Sequence, residues 1–199
     1  MQAKKLLAAP ILVLALLGGF LAGYSTSTGN TSQALENTMH VELYLYKNGK
    51  LVYYDPDDPT TANMLNIFVE MAKNAGQFTA RDGSTFNGID TQLTGSMVCA
   101  SNGTATFTRN MHVLPGTEWC SSTPLTVTIN GNELIMSGTV NIASTTNITW
   151  VGLYLKTDSY PASNGFTGRW FLLAADPIDQ PIHVNSGDVI SIVYKFVFP

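Results

Sequence analysis

The chain has 199 residues, a net charge of −4 at pH 7, and charged side chains at only 12% of its positions. Serine, threonine and asparagine make up about a quarter of it, and its 10 Lys and Arg are scattered rather than gathered into the basic patch that a nucleic-acid partner needs. An uncharged exterior rich in hydroxyls and amides suits an exported protein. It also suits a subunit covered by copies of itself, because few charges then lose their water.

Residues 6–23 form an unbroken apolar run behind Lys4 and Lys5. As a helix, these 18 residues span roughly 27 Å. That is slightly short of a bilayer core of about 30 Å and long for the apolar region of a signal peptide. The two lysines orient the segment so that everything after Gly23 is exported. Three fates stay open: removal as a signal peptide at Gly23-Tyr24-Ser25, retention as a membrane anchor, or retention as the stalk of an assembled fibre. Residues 24–37 follow as a Ser/Thr-rich tether without apolar periodicity. Residues 38–199 are long enough for one domain with its own core.

Alternation starts at Met39: Val41, Leu43 and Leu45 fall on one face, and His40, Glu42, Tyr44 and Tyr46 on the other. Asn48-Gly49 predicts a tight hairpin, with residues 51–54 as the returning strand. One helix is expected over residues 58–76. Asp58 is its N-cap and Pro59 its first residue, Met64, Leu65, Phe68, Met71, Ala72 and Ala75 form its apolar stripe, and Gly76 ends it. Beyond Gln77 the pattern is strands and turns. Strands are expected at 91–99, 104–108, 125–130, 133–142, 148–157, 169–174 and 189–198. Asn-Gly or Asp-Gly turns fall at 82–83, 87–88, 102–103, 130–131 and 164–165. The fold class is mainly β: a jelly-roll-like antiparallel β-sandwich with one α-helix, preceded by an N-terminal hydrophobic helix.

The lysine-bearing leader, the run Leu6-Leu7-Ala8-Ala9-Pro10-Ile11 and the β-rich exported head resemble the layout of archaeal type IV pilins. That resemblance covers residues 1–25. It implies a leader clipped near the charges and hydrophobic helices that pack as a filament core. Lys5 stands where that family has a glycine before the cleavage point. The closing stretch, residues 175–198, also resembles the closing strands of phage and viral structural jelly rolls.

Cys99 and Cys120 are the only cysteines, and an even pair in an exported domain is expected to form a disulfide. Sequons at Asn30, Asn102 and Asn147 are glycosylation candidates where the host has the machinery. Asp55, Asp57 and Asp58 form one acidic cluster. Its metal reading is a calcium loop, and the preferred reading is a turn and helix cap. His40, His112 and His183 have no motif partner, and no nucleophile, metal or nucleotide motif is present. Trp119, Trp150, Trp170 and Tyr160 are candidates for stacking on sugars. Trp150 is expected in the core and Trp119 against the disulfide.

These features point to a non-enzymatic extracellular structural protein without a cofactor, a self-assembling subunit of a cell-surface filament. Its partners would be copies of itself, the membrane if residues 6–23 are retained, and surface glycans, with no nucleic acid. The alternatives are a virion structural protein with a membrane-embedded helix, and a secreted adhesin or carbohydrate-binding module.

Overall fold

A computed structural model describes residues 40–56, 63–64, 66, 77–87, 89–122, 124–159 and 168–198. Alternation at period two becomes two antiparallel sheets facing each other. The strands are β1 (His40–Lys47), β2 (Lys50–Asp55), β3 (Gln77–Thr79), β4 (Thr85–Asn87), β5 (Ile89–Ser101), β6 (Glu118–Cys120), β7 (Thr126–Asn130), β8 (Glu133–Asn141), β9 (Thr146–Ser159), β10 (Arg169–Val184) and β11 (Val189–Val197). The first sheet has the order β2-β1-β11-β8-β7, and the second β10-β9-β5-β6. The short pair β3-β4 stands apart.

The core lies between the sheets. Val41, Leu43 and Leu45 of β1 and Ile190, Ile192, Tyr194 and Phe196 of β11 face Val98 and Ala100 of β5 and Val151, Leu153 and Leu155 of β9. Each fully buried leucine contributes about 2 kcal/mol by leaving water. Strand β11 pairs with β1 on one side and β8 on the other, so it fills the centre of its sheet. It therefore closes the sandwich from within the same chain.

The predicted Asn-Gly hairpin forms with positive φ at both turn residues, 49° at Asn48 and 82° at Gly49. A knot of polar contacts ties this turn to the one before β11. The Asn48 N–H donates to the Val189 carbonyl at 2.9 Å, and its side-chain amide donates to Asp188 at 2.9 Å. The Lys47 ammonium reaches Asp188 at the same distance. The backbone N–H of Asn185, with Asn48 and Lys47, holds the Asp188 carboxyl down to about 2.

Most expected strands form with small shifts at their ends, but β10 runs ten residues past its expected end at Ala174. Strands β3, β4 and β6 have no counterpart in the sequence reading. The strand expected at 104–108 does not form; residues 102–117 make a long loop between β5 and β6. Within 104–108 only Phe107 is a large apolar side chain, so those five residues offer no alternating face to bury. Of the expected helix, Asn63, Met64 and Asn66 are described and helical. The remainder, including Asp58 and Gly76, lies outside the described residues, as do residues 1–39. Asn63 is buried and holds the end of β3: it accepts the Thr79 N–H at 2.9 Å and donates to the Thr79 carbonyl at 2.8 Å.

Candidate functional site

The second sheet is covered on both faces. On its outer face Met97, Cys99, Trp150, Tyr154, Leu172 and Ala175 are buried beneath the 102–117 loop, which contributes Phe107, Met111 and Leu114. Gly152 makes room for this lid, because a Cβ there would stand 2.9 Å from both Leu114 and Leu172. The neck of the loop is a close backbone approach. A Cβ on Gly103 would fall 2.2 Å from the Pro115 carbonyl carbon, so only glycine fits. The predicted disulfide is present at the base: Cys99 and Cys120 face each other across β5 and β6 and are bonded.

A buried polar network holds the other side of the neck. The Tyr154 hydroxyl donates to Glu118 at 2.5 Å and accepts the Leu114 N–H at 2.9 Å. Glu118 also pairs with Arg81, whose guanidinium lies 5.3 Å from the centre of the Tyr154 ring. Burial pushes the Tyr154 hydroxyl up to about 12. Both carboxylate oxygens of Glu118 are occupied by protein donors, so the group acts as a clamp on the loop. Sequence spacing does not reveal this constellation, because Arg81, Glu118 and Tyr154 come from three separate stretches.

The three histidines are spread over β1, the lid loop and β10. His40 is 3.6 Å from Glu42, His112 lies against Gly83, and His183 is 3.1 Å from Asn147. Asn147 is exposed at the start of β9. Asn102 opens the lid loop with its side chain engaged at both ends. It accepts the Thr117 N–H at 2.9 Å and donates to Thr146 at 3.2 Å. Asn30 lies outside the described residues, as does Tyr160. Trp150 is buried as expected. Trp119 departs from expectation: alternation along β6 turns it away from the disulfide and against the main core. Trp170 packs on the outer-face cluster, with the Lys156 ammonium 5.8 Å from its ring centre.

Of the acidic trio, Asp57 and Asp58 lie outside the described residues. Asp55 is the last residue of β2 rather than part of a turn. The fold gives it different companions, Asp176 and Asp179 of β10. Asp176 is 1% exposed, and its Oδ2 has no hydrogen-bond partner among the described residues. Burial, and then repulsion from Asp55 and Asp179, pushes its carboxyl up to about 8. Tyr53, whose hydroxyl donates to Asp55 at 3.3 Å, is raised as well, chiefly by burial. Among the described residues no group of three His, Cys, Asp or Glu is arranged to hold a metal ion.

The outer face of the first sheet carries the remaining chemistry. The Tyr44 hydroxyl donates to Glu42 at 2.5 Å, and Lys195 bridges Glu42 at 3.1 Å and Glu133 at 2.9 Å. The Tyr44 hydroxyl holds the Glu42 carboxyl below its ordinary value. Beside this charged ladder Tyr44 and Tyr54 pack with ring centres 4.7 Å apart. Leu51, Val52 and Tyr54 of β2 are exposed. Among the described residues, this edge is where large hydrophobic side chains reach solvent side by side. No family model matches the chain, and neither does any curated protein or solved structure.

Proposed function

We propose that the chain is a non-enzymatic extracellular structural protein, a self-assembling subunit of a cell-surface filament. Its head is a sandwich of jelly-roll type, carried on the apolar segment 6–23. The observation that carries this reading is the position of β11, paired on both sides at the centre of its sheet. A head that supplies its own central strand needs none donated by a neighbour. Joining copies into a fibre then falls to the apolar run, which can pack against its equivalents or sit in a membrane. The return of β11 between β1 and β8 also suits the Greek-key connections of a jelly roll. The Cys99–Cys120 bond fits an oxidising, exported location.

Removing residues 1–37 and secreting the head behind a cleavable signal tests this division of labour. The head is expected as a soluble β protein that forms no filaments by electron microscopy. Abundant ordered filaments from the truncated head would contradict assembly through residues 6–23.

A further inference from the structure

We propose that β2 is the contact surface for a second copy of this chain, paired edge to edge and antiparallel about a two-fold axis. In that register Lys50 of each copy stands opposite Asp55 of the other, and Leu51 opposite Tyr54. The contact goes beyond the reading above and does not depend on it, because it joins heads rather than apolar segments.

Among the described residues, four strands end the two main sheets, and two of them are blunted. Strand β10 carries Pro177 and Pro181, which have no N–H to offer a neighbour. Strand β6 is three residues long and ends in the disulfide. Strand β7 presents Thr126, Thr128 and Asn130 to solvent. Strand β2 alone shows an apolar edge, with Leu51, Val52 and Tyr54 exposed by 48%, 40% and 46%. They are three of the four large exposed hydrophobic residues among those described.

A two-fold axis perpendicular to a sheet keeps its faces, so residues brought opposite each other must point the same way. In a regular strand, residues three or five apart point to opposite faces. Here Val52 is an extra residue between the pairs Leu45↔Tyr53 and Tyr46↔Leu51. Leu51 and Tyr54, opposite Tyr46 and Tyr44, therefore share the outer face. Lys50 and Asp55, opposite Lys47 and Leu43, share the other row. The bulge thus makes the pairs Leu51–Tyr54 and Lys50–Asp55 consistent in face, and the second of them complementary in charge. The arriving Lys50 also enters the row of Asp55, beside Asp176 and Tyr53, which burial raises first and nearby carboxylates, Asp55 among them, raise further. A two-fold contact is closed, so it yields pairs of heads and leaves fibre growth to another surface.

The test uses the full chain in detergent, with two charge variants, Lys50→Glu and Asp55→Lys. By sedimentation the unaltered protein is expected to dimerise. Each variant alone should associate about tenfold more weakly, because like charges then face each other twice. An equal mixture should recover, since each mismatch in one chain is answered by the other. An unaltered protein that stays monomeric, a Lys50→Glu protein that dimerises normally, or a mixture of folded variants that stays apart would overturn the contact. A second pair of full-chain variants, Leu51→Cys and Tyr54→Cys, checks the register. Their mixture should give a covalent dimer on a non-reducing gel that neither gives alone. Filaments that form without this covalent dimer would overturn the β2 contact and leave the filament reading standing.

Discussion

Replacing Asp176 with asparagine is expected to raise the melting temperature at pH 8 by roughly 10 °C and to leave it nearly unchanged at pH 4. The side chain is 1% exposed, and its carboxyl is pushed up to about 8 by burial and by Asp55 and Asp179. The unfolded chain releases this proton near the ordinary value of about 4. Between about pH 4 and pH 8 the folded state therefore holds a proton that the unfolded state has lost. Stability from this group is fully present below about pH 4 and falls as pH rises towards 8. The limiting slope is about 1.4 kcal/mol per pH unit, for a total of roughly 5 kcal/mol. Asparagine stays neutral and removes the slope. Thermal melts of both proteins across this range check it. Parallel curves would show that Asp176 ionises at an ordinary pH in the folded protein.

Replacing Cys99 and Cys120 together by alanine is expected to lower stability by roughly 3 kcal/mol, the loop-closure entropy of a bridge spanning 21 residues. The bond joins neighbouring strands at the base of the lid, so its loss acts first on the lid. Phe107, Met111 and Leu114 would then be held on the outer face by packing and by the Glu118–Tyr154–Arg81 clamp. Denaturant unfolding of the variant should show a lower midpoint, and the intact protein should show the same drop when reductant is added. A midpoint unchanged in both would mean that the clamp alone holds the loop.

The strands with a clear period of two were readable from sequence because burial on one face imposes that period. Val41, Leu43 and Leu45, and the run from Ile190 to Phe196, land in the core as their alternation requires. Residues 104–108 read as a strand because the β-branched Thr104, Thr106 and Thr108 favour strands locally, whereas the Gly103–Pro115 approach and the disulfide turn this stretch into a lid. Strand β10 was under-read at its far end. Pro177 and Pro181 argue against a central strand, and both are tolerated here because β10 lies at an edge. The acidic group illustrates a different limit. Local spacing joined Asp55 to Asp57 and Asp58, but the fold sets it beside Asp176 and Asp179, more than a hundred residues away. The exposure of Leu51, Val52 and Tyr54 was equally hidden, because it depends on β2 ending its sheet and on the extra residue at Val52.

The most direct test of the structural reading is the mass of the subunit within its assembled state. Surface filaments would be sheared from cells, checked by electron microscopy and analysed by mass spectrometry for the first residue of the subunit. A start at or before Leu6, with residues 6–23 retained, is the result that assembly through this segment predicts. A protein found as free heads that begin near Thr26, with no filaments present, would contradict it.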